Sequence, residues 1–174
     1  MQNDELLYNI ALTKIDKVGA VTAKTLISYC GSAKEIFNEH KSRLIKIPQV
    51  GSAIANATKD KVVFEKAEKE IEFILKNEVS VLFYLDENYP YRLKNYTDSP
   101  VILYYQGNAN LNAEKVSAVV GTRRITEYGK DLVAHLIKGI VDQDILVVSG
   151  LAYGVDSLAH KICVQENIQT IGVL

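Results

Sequence analysis

Apolar residues change their spacing along this chain, and the changes divide it. Over roughly the first sixty residues they recur at helical intervals in short bursts. Leu6, Leu7, Ile10 and Ala11 form one, Val21 to Tyr29 another, and Ile36-Phe37 a third, behind Ser32 and Glu35 at the spacing of a capping box. From Lys59 to about Asn77, Val62, Val63, Ala67, Ile71, Ile74 and Leu75 stand among lysines and glutamates. That pattern predicts a longer amphipathic helix with i,i+4 charge pairs, placed to bridge two domains. Two β-prone runs follow, Val79–Leu85 and Val101–Tyr105, with a helical turn started by Pro90 between them and a loop at 107–110 after them. Beyond it strands and helices alternate: Ser117–Val120, helix Thr126–Val141, Ile145–Val148, helix Tyr153–Gln165, and Thr170–Leu174.

Two successive βαβ units with continuously apolar strands imply a parallel sheet with right-handed crossovers, a Rossmann-type arrangement. The expected fold class is therefore α/β: an all-helical domain over residues 1–78, including the linking helix, and the N-terminal part of a Rossmann-like domain over residues 79–174.

Composition narrows this picture without redirecting it. With 48% apolar and 24% charged residues the chain reads as an ordinary soluble globular protein. Its start, with Asp4 and Glu5 and no apolar run, does not read as a signal peptide, and no run reaches the roughly 18–20 apolar residues of a membrane helix, so a cytoplasmic location is expected. Cys30 and Cys163 have no metal-ligand spacing and read as thiols rather than a disulfide or a metal site. A net charge of −1 argues against a protein coated in basic charge, so any anion site must be local.

Two turns in the helical region resemble helix-hairpin-helix units: Lys17-Val18-Gly19-Ala20-Val21 before Ala23-Lys24, and Ile47-Pro48-Gln49-Val50-Gly51-Ser52-Ala53. In each the usual final turn glycine is read as replaced, by Val21 and by Ala53. The first N–H groups of the second helix have no intrahelical partner and can receive a phosphate oxygen, which makes Lys17, Gly19, Lys24, Gly51 and Ser52 secondary candidates. The alternative is a hairpin that only packs. Tyr84, Tyr89, Tyr91, Tyr96, Tyr104 and Tyr105 crowd around Arg92 and Lys94. Such rings can stack on bases, or simply fill core.

The stronger candidates follow the parallel strands, because an open sheet binds ligands beyond its strands' carboxyl ends. After the first come Gly121-Thr122-Arg123-Arg124 and then Thr126; after the second come Ser149-Gly150-Leu151-Ala152-Tyr153-Gly154. Glycines admit a ligand to the backbone, the hydroxyls of Thr122, Thr126 and Ser149 can bond it, helix starts supply N–H groups, and Arg123 or Arg124 can grip a phosphate with two bonds. The plainer readings are tight βα turns and solvated arginines. The spacing is neither GxGxxG nor GxxxxGK[ST], so NAD and ATP are disfavoured and no cofactor is expected. Asp156 and His160 share a helix face and form an imaginable catalytic pair, though a helix-start acid and a packed histidine explain them more simply.

The ordered series Val120-Gly121-Thr122-Arg123 to Tyr128-Gly129, Ser149 to Asp156 with Ala159-His160, and Thr170 to Leu174 resembles the signature of the DNA processing protein A family, DprA/Smf. Tyr89-Pro90, Leu93, Pro100 and Gly107 match the segment before the signature, and the helical N-terminus resembles the family's sterile-alpha-motif-like (SAM-like) domain. The resemblance implies a protein, not an enzyme, that binds single-stranded DNA and loads the RecA recombinase onto it in natural transformation, and that forms a homodimer through the Rossmann domain. It places the DNA pocket at Gly121, Thr122, Arg123, Thr126, Ser149, Gly150 and Gly154. Thr122 and Thr126 stand where serine is commoner, and Tyr153 takes a variable, often basic, position. The family continues past the point that corresponds to Leu174, so a truncated product or partial chain is expected. The alternative is a Rossmann-type nucleotide phosphoribohydrolase-like enzyme, because fold alone does not separate the two.

Overall fold

The computed structural model describes residues 2–174, which form two compact units, one ending at Gln106 and one spanning Gly107–Leu174. The first begins with helices α1 (Gln2–Thr13), α2 (Ala20–Cys30), α3 (Ala33–Asn38), α4 (Lys41–Leu44), α5 (Ser52–Ala57) and α6 (Lys61–Lys76). The capping signal before α3 is realised, since the Ser32 hydroxyl accepts from Glu35 N–H at 3.2 Å. Asp60 caps α6 by accepting from Val62 N–H. Ile10, Leu12, Leu26, Ile36 and Leu44 are wholly enclosed, and Tyr8, Phe37 and Phe64 meet with ring centroids 4.8–5.8 Å apart.

The sequence pattern puts a boundary after residue 78 and a bridging helix before it; the molecule divides elsewhere. Helix α6 packs along α1 and buries Val63, Ala67 and Ile74 in the helical core. Strands β1 (Ser80–Phe83) and β2 (Ile102–Tyr105) pair antiparallel, Ser80 opposite Tyr105 and Phe83 opposite Ile102. A two-stranded ribbon is marginal by itself, and this one gives Phe83, Val101 and Ile102 to the helical core, which carries the first unit on to Gln106. The proline-started turn between them is α7 (Tyr91–Lys94). Tyr89 is completely buried with its hydroxyl donating to Pro100 O at 2.6 Å, whereas Tyr91 and Tyr96 are exposed. The tyrosine cluster is thus part core and part surface.

In the second unit β3 (Lys115–Ala118), α8 (Glu127–Lys138), β4 (Ile145–Gly150), α9 (Val155–Gln165) and β5 (Thr170–Val173) make a parallel sheet in the order β3-β4-β5. The register sets Ser117 beside Val147 and Val147 beside Thr170. Helices α8 and α9 pack against each other, and Val133, Ile137, Val155, Ala159, Ile162 and Cys163 close over Val147. Helix α8 starts one residue later than its apolar pattern predicts because Thr126 is the cap, and α9 starts at Val155 because Tyr153 and Gly154 belong to the loop. Both cysteines are free; burial pushes the thiols of Cys30 and Cys163 up from their ordinary value. Among the described residues no helix is long and apolar enough to cross a membrane.

One polar knot ties the turn after α1 to α6 and β2. Glu70 pairs with the Lys14 ammonium and accepts the Tyr104 hydroxyl at 2.5 Å. Burial disfavours the ionised Glu70 carboxyl, but the bonds from Lys14 and Tyr104 and the Lys14 charge hold it below its ordinary value of 4.5. Burial, with the Glu70 bond and charge added, pushes Tyr104 up. A carboxyl depressed on folding stabilises the native state above its unfolded value, and that contribution is lost as pH falls through the folded one. Thermal melts between neutral pH and about pH 3 should show the wild type losing more stability on acidification than Glu70→Gln.

Candidate functional site

The loops after β3 and β4 meet at the carboxyl end of the sheet and are bonded to each other. Ser149, 2% exposed, donates its hydroxyl to Val119 O at 2.6 Å, and Val119 N–H donates to Val148 O. Farther out, Val155 N–H at the start of α9 donates to Thr122 O at 3.2 Å. The closest approach is at Gly154, whose φ is +88°. A β-carbon there would stand 2.2 Å from Thr122 O and 2.7 Å from Arg123 O, so only glycine fits both the conformation and the space. Gly121 is constrained from the opposite side, where a β-carbon would stand 2.5 Å from Val155 Cγ2.

A β-carbon at Gly121 or Gly154 would meet the protein itself, and one at Gly150 would meet the Asp156 carboxylate. The Ser149 hydroxyl, expected to face a ligand, is buried and engaged. Two of the first N–H groups of α9 are likewise taken, Val155 by Thr122 and Ser157 by Ala152. What these residues build is a rigid rim.

On that rim the remaining candidates are brought together and exposed. Thr122 accepts from Arg124 N–H at 3.1 Å, which folds the loop into a tight turn, and Thr126 accepts from Gly129 N–H as the cap of α8. Arg123 and Arg124 are exposed, and neither has an ion-pair partner among the described residues. The nearest acid on α8, Glu127, is paired with Lys130 at 2.7 Å. Four apolar side chains share the surface: Val120, Tyr128, Leu151 and Tyr153, the last 85% exposed. Two guanidinium groups without ion-pair partners among the described residues, on a loop bonded to the one that carries the exposed Tyr153, can hold phosphates of a chain whose other groups are flat and apolar.

Asp156 and His160 do not assemble into a catalytic pair. Asp156 is buried in the first turn of α9. His160 Nε2 lies 2.9 Å from Gly150 O, which can only accept, so this nitrogen carries a proton; Nδ1 lies 2.8 Å from Thr170 Oγ1, and that hydroxyl is 3.1 Å from Val147 O. The ring laces β4 to β5. Sequence reasoning missed Thr170 and also Gly172, which makes room for Leu151; the available signal was their alternate positions on β5, on the face turned to the helices.

The secondary candidates lie in the first unit and fare unevenly. Gly19 and Gly51 cap α2 and α5 with almost the same backbone angles, and the residues two before them, Lys17 and Gln49, have φ of 67° and 66°. The departure from a glycine-rich turn therefore falls at Lys17 and Gln49 rather than at Val21 and Ala53, which are helical. Ser52 is the exposed first residue of α5. The Lys24 ammonium donates to Tyr96 O, Thr97 O and Ser99 Oγ at 2.7–3.1 Å. Burial pushes its pKa down, against the opposing pull of Asp98. Beside the first hairpin lies a cavity of about 250 Å³ lined by Gly19, Ala20, Glu70 and Tyr104, where Glu70 already neutralises Lys14. Among the described residues no group of three or more His, Cys, Asp or Glu side chains could hold a metal ion.

Comparison with known proteins places this geometry. Residues 80–174 match the model of a family described as DNA recombination-mediator protein A. The chain is 39% identical over 90 residues to DNA processing protein DprA of Streptococcus pneumoniae, covering 52% of this chain and 32% of that one. It is 38% identical over 89 residues to DNA processing protein DprA of Bacillus subtilis, with 51% and 30% covered. It aligns along its whole length with protein Smf of Synechocystis, at 27% identity and 45% of that protein. The crystal structure of DNA processing protein A from Streptococcus pneumoniae superposes with a TM-score of 0.63 at 27% identity, over 96% of this chain and 56% of that one. The aligned segments thus span about a third of the length of the first two relatives, and the whole chain superposes on little more than half of the solved one.

Gly154→Ala should lower stability by more than about 2 kcal/mol, since backbone strain and a steric clash combine. Chemical denaturation of the variant, followed by circular dichroism, measures the loss.

Proposed function

The chain belongs to the DNA recombination-mediator protein A family, and on that premise we propose that it holds single-stranded DNA by its phosphates on the rim beyond β3 and β4 and passes it to the RecA recombinase in natural transformation. One observation carries this reading: Arg123 and Arg124 stand exposed and unpaired, among the described residues, on a loop that the Gly154 contact holds in place. A chain with net charge −1 has no general attraction for a polyanion, so binding depends on such local cations.

The reading is of a binding protein rather than an enzyme. The phosphoribohydrolase-like alternative needs a working acid or base, and both nitrogens of His160 are engaged within the sheet while Asp156 is buried. We read residues 1–78 of the first unit as the SAM-like domain with its two helix-hairpin-helix turns, and its exposed Lys17, Gly19, Gly51 and Ser52 as auxiliary phosphate contacts. Homodimer formation through the Rossmann-type unit, delivery to RecA and a cytoplasmic location complete the proposal. Support for them comes from the family.

In fluorescence anisotropy with a labelled oligothymidylate, the Arg123→Ala, Arg124→Ala double variant should bind at least about tenfold more weakly than wild type. Its log–log salt slope should be shallower by about 1.4, the change expected when two phosphates of a single strand are no longer neutralised. Equal, salt-insensitive binding by both proteins would end the proposal.

A further inference from the structure

Tyr153 stands out in the second unit. Its side chain is 85% exposed, and no ring, cation or hydrogen bond engages it among the described residues. A solvated tyrosine at a loop tip ordinarily has a mobile support, but this one does not. The next residue is Gly154, seated against the carbonyls of Thr122 and Arg123, and the preceding residue, Ala152, accepts from Ser157 N–H at 3.1 Å. The loop that presents the ring is therefore fixed on both sides of it, beside the loop that carries Arg123 and Arg124. A second exposed ring, Tyr128, lies in the first turn of α8 on the same rim.

We propose that Tyr153 is the base-stacking platform of this site and the source of its preference for unpaired over paired strands. The proposal rests on the single-strand reading above and deepens it. Arginine contacts to phosphate do not distinguish a single strand from a duplex, because both present the same groups. A ring face does distinguish them, because a base stacks on protein only when it is not stacked in a duplex. Tyrosine is well suited to this role, since it offers a broad apolar face with only two side-chain torsions to fix, and ordering it costs little. The stacking is indifferent to base identity, since every base has a π face. Neighbouring acids do not oppose it, Glu127 being paired with Lys130 and Asp156 buried.

The test compares wild type, Tyr153→Ala and Tyr153→Phe on three labelled probes: an oligothymidylate, an abasic backbone of equal length, and a duplex of equal length. Tyr153→Ala should bind the oligothymidylate about tenfold more weakly, with an unchanged salt slope, while Tyr153→Phe binds as wild type. Affinity for the abasic strand and for the duplex should be the same in all three proteins, so the preference for the single strand collapses in Tyr153→Ala alone. The proposal is overturned if Tyr153→Ala matches wild type on the oligothymidylate, if Tyr153→Phe loses as much as Tyr153→Ala, or if the loss is equal on the abasic strand. In each of those cases the arginine double variant still decides the single-strand reading separately. Failure of wild type to bind the oligothymidylate at all overturns both.

Discussion

The contact between the β3–α8 and β4–α9 loops is the constraint on which the second unit's surface depends. Gly154 brings one loop within van der Waals reach of the carbonyls of the other, Gly121 makes the reciprocal allowance for Val155, and Ser149 bonds the two strand ends beneath them. Parallel strands place their carboxyl ends side by side, but they do not by themselves stop the following loops from splaying. Here the loops are joined by backbone and buried side chains, which leaves Arg123, Arg124, Tyr128 and Tyr153 to project from a fixed base. Residues that join the loops and residues that project from them alternate along the same few positions.

That division explains what was legible in the sequence. The alternation of apolar strands and amphipathic helices from residue 117 onward announced the parallel sheet, because each strand is covered by helices that must show a matching apolar stripe, as Val133 and Ile137 do on α8. The glycines and hydroxyls after the strands announced a special surface, but not which of them would face outward. A glycine reads the same whether it makes room for a ligand or for Val155. Ser149 reads as a free hydroxyl until the register shows it turned under the rim beside Val119. The side chains that do project are those the packing leaves over: Arg123 and Arg124 were legible as the local charge, whereas the exposure of Tyr128 and Tyr153 follows only from the fold.

The unit boundary illustrates the same limit at larger scale. Val79–Leu85 and Val101–Tyr105 are apolar and β-prone, so they read as the opening strands of the sheet domain. Their pairing is local and antiparallel, and their core contacts run to α-helices that lie far away in sequence. Lys24 is another long-range case: its neighbours in sequence make it a hairpin cation, while its actual partners are carbonyls more than seventy residues later. Local pattern predicts elements well, whereas the choice of partner for an element or a charge is settled by packing.

A rim that is fixed before anything arrives has a consequence for the molecule that binds it. Since the protein has little left to rearrange, the adjustment falls on the ligand, and on the proposed reading that ligand is a flexible strand. Its conformational cost then depends on its own stiffness: runs of purines, which stack on one another, resist being splayed across a rigid surface more than runs of pyrimidines do. A site without a single base-reading contact would in this way acquire a preference written in the mechanics of the strand. The glycine at position 154, which sets one loop against the other, would be its origin.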